Sequence, residues 1–389
     1  MTGTFSTGVP VADLEVAPPP GAGGARPADT RTLPPGWGRP ARLAVIVIGG
    51  LTVPFWAGDY WLSTFGFVLI AAIGALGLDV LTGRTGQISL GHAFFLAAGA
   101  YVGGWLGGNE HLTAAISIPL AGVAAGLLGL LTGPAALRLR GLYLGIVTIG
   151  LVYIGQYTVQ TWTAFSGGSG GRSLPDPKFG SLNFANGFSI GSHLFDRNAC
   201  YYYLAFLLLV LAMLYVHNIG RSRLGRDMTA VRDRELAAAV LGVNVARTKV
   251  RAFVISSALA GISGALYGSF IGFVNPQTWS LVLSIEYVIM IVVGGMGSLW
   301  GPLLGSVFVI GLPSLLQRVS GSLPFLSNGN NQGVISPTDA ADIAFGVLLI
   351  VFLLLEPRGV MGLVHRIRAA AVKRSSGRPV PGINTGGSE

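Results

Sequence analysis

The chain has 389 residues, enough for about two or three soluble domains, yet only 11% of them are charged and 51% are apolar. A soluble chain carries about 25% charge, so a water-facing globule is excluded; the apolar content excludes whole-chain disorder, and a single cysteine, Cys200, excludes a disulfide scaffold. What remains is a polytopic membrane protein, in keeping with a mean hydropathy of +0.64 and with 59 glycines, which suit closely packed helices. The net charge of +9 would favour nucleic acid in a soluble protein. Here the basic residues lie between apolar runs, so the positive-inside rule accounts for them and no nucleic-acid partner is expected.

Residues 1–40 are rich in Pro, Gly and Ala without apolar periodicity and are expected to form a disordered cytoplasmic tail. No basic start followed by an apolar core and a small-residue cleavage site opens the chain, so no cleaved signal peptide is expected. Apolar runs follow at 43–57, 61–82, 91–108, 112–132, 141–161, 200–217, 250–273, 281–297, 301–317 and 341–356. Most approach the ~20 residues that cross a bilayer as a helix. The first, third, eighth and ninth are short enough to be tilted, broken or re-entrant. A barrel would show ~10-residue alternating segments instead, so helix is the assignment. The predicted fold is an all-α polytopic membrane protein of about ten transmembrane helices, with both termini cytoplasmic. Its membrane domain covers 41–362 and a basic cytoplasmic tail covers 363–389. This topology puts every basic residue except Arg172, Lys178, Arg197 and Arg318 on the cytoplasmic side.

Two interruptions share one pattern. Gly86-Gln87-Ile88-Ser89-Leu90 lies between the second and third runs, and Gly295-Met296-Gly297-Ser298-Leu299 lies between the eighth and ninth; both read G-x-x-S-L. Paired Gly-interrupted segments in the two halves of a chain point to a transporter's central site. Backbone NH groups at a helix start there would meet a substrate carboxylate. On that reading Gln87, Ser89, His92, Gly295 and Ser298 belong to the substrate pathway. The alternative is two tight turns, in which Gln87, Ser89 and His92 satisfy turn or inter-helix hydrogen bonds. Asp79, near the cytoplasmic end of its span, is expected to pair with Arg84. Tyr143, Phe94 and Tyr101, at helical spacing, are expected to pack.

The long stretch 162–199, rich in Gly, Ser and Asn, is expected to be an external loop, and so is 318–340 with Asn328, Asn330, Asn331 and Gln332. The segment 218–250 is cytoplasmic and dense in charge. Residues 225–241 form a helix candidate, with Gly242 as its C-terminal stop. The pairs Arg223/Asp227 and Arg232/Glu235 fall at helical spacing, contributing about 0.2–0.5 kcal/mol each. Its apolar residues form no single clean stripe. One reading is a solvated loop helix; the other is a helix that docks a cytoplasmic partner, with Ala237, Ala238 and Ala239 permitting close approach. Glu286 lies several positions inside an apolar run. Intramembrane acids are costly and face a cavity or a partner, so Glu286 would meet a substrate ammonium, gate the pathway, or brace a neighbouring span.

A phosphate-cradling loop needs Gly-Lys-Ser/Thr at a helix start, and none of the three lysines (Lys178, Lys249, Lys373) follows a glycine. No cofactor or metal site is expected on this chain, because the five histidines and one cysteine are scattered.

The run from Arg226 through Glu235-Leu236-Ala237-Ala238 to Gly242-Val243-Asn244, then Lys249 and Ala252-Phe253-Val254-Ile255-Ser256, resembles the membrane permease subunits of branched-chain amino-acid ABC importers. So do Gly86 through Ala93, Leu139-Arg140-Gly141-Leu142-Tyr143-Leu144, Glu286 through Pro302, and Glu356-Pro357-Arg358-Gly359. The resemblance covers about residues 60–362 in the family's order, and is to the longer of its two permease types, which has an extended outer loop. It implies a multi-pass plasma-membrane protein that is not itself an enzyme. It also implies a homologous second permease, two ATP-binding subunits holding ATP-Mg, and an extracytoplasmic solute-binding protein, all in a lipid membrane. The charged segment becomes the coupling helix, with Arg226, Arg232, Asp233, Glu235, Ala238 and Gly242 at the ATPase. The family's Glu-Ala-Ala…Gly motif is not matched in register: Leu236 replaces the first alanine, and Gly242 lies one position late. The implied cargo is leucine, isoleucine or valine, with urea and short amides as family alternatives. Selection would lie with the binding protein, since apolar pockets separate one methylene by only ~1–3 kcal/mol. From another class, an ion-coupled secondary transporter or channel would need Glu286 and Asp79 as its titratable groups.

Overall fold

The computed structural model describes residues 49–320, 337–355, 359–362 and 366, apart from short gaps at 109, 111, 139–141, 175, 177, 180–181, 185–186 and 191–192. The expected tails (1–40 and nearly all of 363–389), the end motif Glu356-Pro357-Arg358, Leu139-Arg140-Gly141 and most of 318–340 lie outside the described residues. The chain divides after Leu51, and the helical architecture is that of the unit Thr52–Glu389.

The apolar runs fold as helices, the form in which a chain satisfies its own backbone in lipid. Helix α1 (Asp59–Leu78) runs on through a wider π-turn, Asp79–Gly83. Helices α2 (His92–Gly108), α3 (Ala114–Arg138) and α4 (Leu142–Thr161) follow. Then come α5 (Arg197–Arg221), α6 (Arg223–Asp233), α7 (Glu235–Val240) and α8 (Val245–Ile271). The last group is α9 (Leu281–Gly294), α10 (Gly301–Ser306), a second π-turn at Val307–Gly311, α11 (Leu312–Ser320) and α12 (Pro337–Leu355). Among the described residues, five stretches are long and apolar enough to cross a membrane: Asp59–Gly83, Ala114–Pro134, Arg197–Arg221, Val245–Ile271 and Pro276–Gly294. Helices also coincide with the expected runs 91–108, 141–161, 301–317 and 341–356. The expected first run, 43–57, falls partly outside the described residues; of the rest, residues 49–52 are helical and Val53–Phe55 form a tighter turn.

Helix α1 is apolar all round, the pattern of a helix enclosed by others, and 89% of its most apolar window is buried. Helix α8 is the other central element, packed on α1, α2 and α3. Its approach to α2 is possible because Gly99 faces Gly261: a Cβ on Gly99 would overlap the Gly261 backbone. Small residues allow such packing where no hydrophobic force drives helices together in lipid. Ser263 Oγ of α8 ties the pair to α1, donating to Ile70 O at 2.7 Å. By contrast, α3 presents Ile116, Leu120, Val123, Leu127 and Leu131 outward, an aliphatic face suited to lipid.

The long loop 162–199 departs from a purely helical description. Short antiparallel ribbons form within it: β2 (Lys178–Phe179) with β3 (Leu182–Asn183), and β4 (Phe188–Ile190) with β5 (His193–Phe195). Strand β1 (Arg172–Ser173) pairs with β6 (Phe273–Val274), just after α8. An ionic clasp holds the same place. Arg197 Nε donates to Asp176 Oδ1 at 2.8 Å and Nη2 donates to Phe270 O at 2.9 Å, while the Tyr201 hydroxyl lies 2.9 Å from Asp176 Oδ1 and 2.7 Å from Ser269 O. The polar loop thus uses its charges to fasten itself to the end of α8.

The charged segment expected as one helix forms two, broken at Arg234, whose backbone is extended (φ −154°, ψ 100°). The missing single stripe explains this. Met228 and Val231 of α6 are buried against the bundle, whereas Leu236, Val240 and Leu241 on and after α7 point to solvent. One straight helix could not serve both directions. Ser222 caps α6 by accepting from Gly225 N. Gly242, at φ +84°, ends α7 with the paired bonds Gly242 N to Ala239 O and Val243 N to Ala238 O, the Schellman pattern expected of a glycine stop.

Candidate functional site

Both G-x-x-S-L interruptions are non-helical, at 86–91 and 295–300. Gly86 takes φ +70°, Gly295 φ 107° and Gly297 φ +78°, values that a side chain would strain. The first interruption does not loop away. Thr85, Gln87 and Ser89 are buried, and Leu90 N donates to Thr148 Oγ1 of α4 at 2.9 Å. The segment is thus enclosed by protein although it is not helical, the condition under which irregular backbone is tolerated in a membrane protein.

The polar side chains named from the sequence mostly bond within the protein. Gln87 Nε2 lies 3.3 Å from Thr85 Oγ1 and 3.4 Å from Lys249 O, while Gln87 Oε1 is buried without a hydrogen-bond partner among the described residues. Ser89 Oγ accepts from Gly91 N at 3.4 Å. His92 is fully enclosed at the start of α2: its Nε2 lies 3.0 Å from Gly74 O and its ring centroid 5.0 Å from that of Tyr287. Ser298 Oγ donates to Gly295 O and accepts from Gly301 N, both at 2.9 Å, which closes the turn into α10. Glu286 is half-buried on α9 beside the exposed Val282 and Ile285. Phe94 and Tyr101 pack as expected; Tyr143 does not, being 71% exposed on α4.

The two interruptions meet at one place. Asp79, in the π-turn of α1, accepts from Gly297 N at 2.6 Å through Oδ1. Its expected partner Arg84 stands farther off, with Nε 3.7 Å from Asp79 Oδ2. Arg232, from the end of α6, donates through Nη1 to Gly83 O at 2.5 Å and lies against Gly86 and Gly297. The charged arm is therefore bonded to the end of α1 and packed on both glycine turns. Its second tie is Lys249 Nζ to Glu235 Oε2 at 2.9 Å. Of the other residues named for docking, Arg226 and Asp233 are exposed and Arg226 reaches Arg221 O at 3.2 Å. Ala238 is only 2% exposed and faces inward, so it cannot touch a partner directly. The outward surface is instead the apolar ridge of Leu236, Val240 and Leu241, beside a cleft that Arg223, Asp227, Gly242, Arg247 and Arg251 line.

Sequence reasoning underrated Asp79 and missed Gly83. An acid ending an apolar run was the available signal for Asp79. Nothing local distinguishes Gly83 from the many other glycines. No group of His, Cys, Asp and Glu able to hold a metal occurs among the described residues.

Residues 60–353 match the family described as "Branched-chain amino acid transport system / permease component". The chain is 33% identical to the high-affinity branched-chain amino acid transport system permease protein LivM of Escherichia coli K12 over 69% of this chain and 66% of that protein. It thus spans just under two thirds of that relative's length. Identity to the LivH permease protein of the same organism is 26%, over 52% of this chain and 60% of the relative. The autoinducer 2 import system permease protein LsrC of an Enterobacter strain is 36% identical over 29% of this chain and 34% of its own length. No solved structure matches. With its apolar helices, paired glycine interruptions and charged arm, the chain belongs to the branched-chain amino acid transport system permease family and is a multi-pass membrane protein.

Proposed function

We propose that this chain is the membrane-spanning permease subunit of an ATP-driven importer, moving branched-chain or similar hydrophobic amino acids by alternating access. The observation that carries the reading is the junction of Arg232 with Gly83 beside Asp79 and Gly297, because it links a solvent-facing charged arm to both interruptions. A subunit without its own ATP site needs such a link. ATP binding and hydrolysis, with Mg, belong to two partner subunits that dock on α6–α7. A homologous second permease and an extracytoplasmic solute-binding protein complete the assembly. About ten spans with cytoplasmic termini place the arm on the ATPase side, in line with the positive-inside rule.

The partner permease and the pathway lie on the face of α4. Directly away from the bundle α4 shows Tyr143, Tyr153 and Tyr157, with Gly150 open beside them. Tyrosines suit the two membrane interfaces, but Tyr153 falls mid-helix, where a lipid-facing helix such as α3 carries aliphatics. Glu286 and Gln87 would meet a polar cargo or gate its passage, with Ser89, His92, Gly295 and Ser298 framing the interruptions.

The test is reconstitution of the chain with its neighbouring permease, ATPases and binding protein in proteoliposomes. ATP-dependent uptake of radiolabelled leucine, isoleucine or valine is expected. Uphill uptake by this chain alone under a proton gradient would overturn the reading in favour of an ion-coupled carrier, and uptake of urea with exclusion of leucine would overturn the cargo.

A further inference from the structure

We propose that Arg232 and Asp79 are positioning residues that transmit movement of the arm to both interruptions through their bonds to Gly83 and Gly297. The proposal rests on the permease reading and names how that permease is driven.

Four residues from three separate segments of the chain form one contact. Arg232 Nη1 holds Gly83 O at 2.5 Å, and Asp79 Oδ1 holds Gly297 N at 2.6 Å. The space between them is filled: a Cβ on Gly83 would stand 2.6 Å from Gly297 N, and one on Gly297 would stand 2.8 Å from Arg232 Nη1. A shift of α6 therefore cannot leave either glycine turn where it was. Gly83 O belongs to the last turn of α1, where carbonyls lack intrahelical donors and a cation is the natural partner. Gly297 N lies in a turn, and the carboxylate of Asp79 supplies its acceptor.

The same carboxylate also faces Arg84 through its second oxygen. Asp79 Oδ2 and Arg84 Nε are both buried without a hydrogen bond among the described residues, and they face each other at 3.7 Å. The two form an ion pair, so Asp79 faces Arg84 through one oxygen while the other accepts from Gly297 N. The π-turn at Asp79–Gly83 supplies local give, since such turns interrupt the regular ladder at functional sites.

The experiment uses the full complex in proteoliposomes, measuring uptake per ATP hydrolysed, stimulation of hydrolysis by loaded binding protein, and the amount of assembled complex. Arg232→Met and Asp79→Ala are each expected to lower uptake per ATP at least tenfold in assembled complexes, with the double variant no worse than either alone. Arg232→Lys, which keeps a donor, and Asp79→Asn, which keeps the acceptor for Gly297 N, are expected to recover part of the coupling. A static brace would instead lower the thermal midpoint and the yield, with unchanged uptake per ATP in what survives; that result overturns the proposal. Should the variants fail to assemble, hydrogen exchange on the wild-type complex decides. Peptides covering 80–90 and 295–300 are expected to change protection between the nucleotide-free and vanadate-trapped states, and unchanged protection in both overturns the transmission. A wild-type complex with no ATP-driven uptake at all would be a failure of the permease reading instead.

Discussion

If the ridge on α7 is what the ATPase covers, truncating it should weaken assembly by an amount set by exposed apolar surface. Leu236 is 74% exposed and points away from the bundle. Leu236→Ala removes three carbon groups at about 0.8 kcal/mol each when they are fully covered. With coverage short of complete, the expected loss is about 2 kcal/mol, or ~30-fold in Kd at 1.4 kcal/mol per tenfold. The assay titrates purified ATPase subunit onto the detergent-solubilised permease pair and reads binding by fluorescence anisotropy. Leu131→Ala is the control. Leu131 is equally exposed, at 75%, but lies on the aliphatic face of α3 that lipid or detergent covers, so its affinity should not change. Equal affinities for wild type and Leu236→Ala would refute the ridge as the docking surface. Equal weakening by both variants would show that the effect is general loss of apolar surface and not docking.

Other perturbations target particular contacts. Glu235→Arg would set a second cation against Lys249 Nζ, now 2.9 Å from a carboxylate; it should uncouple hydrolysis from uptake without loss of membrane insertion, and the exchanged pair Glu235→Lys with Lys249→Glu should recover coupling. Gly99→Val drives a side chain into the Gly261 backbone, so it should cost about 1–3 kcal/mol and lower the thermal midpoint in detergent. Gly107→Ala, in the same helix with nothing within 4 Å, should leave that midpoint unchanged. Arg197→Ala removes a charged hydrogen bond and its carbonyl contacts, for an expected loss of about 2 kcal/mol and faster proteolysis of the 162–199 loop; intact protease resistance would contradict the clasp.

The legible part of the site was its interruptions. The repeated G-x-x-S-L pattern between apolar runs marks the turns, where Gly86, Gly295 and Gly297 take positive φ, whereas isolated glycines such as Gly99 stay helical. Gly242 as a helix stop was legible for the same reason. The roles of His92 and Ser298 were not, because a polar side chain near a break reads equally as pathway lining or as turn closure. What separates these is which carbonyl lies within reach, here Gly74 O for His92 and Gly295 O for Ser298. Ala238 reads as a small docking contact in sequence, yet the break at Arg234 turns it inward.

Residence in a membrane, the course of the apolar helices and the glycine turns between them are written in the linear chain, whereas the break at Arg234 is not. Hydropathy, helix propensity and glycine's backbone freedom are properties of a residue and its near neighbours, so they survive without a fold. That Arg232 reaches Gly83 across 149 positions, and Asp79 reaches Gly297 across 218, emerges only once the helices are assembled. Those bonds depend on how α1, α6 and α9 pack, and packing is set by side-chain volumes on facing helices, which no local pattern encodes.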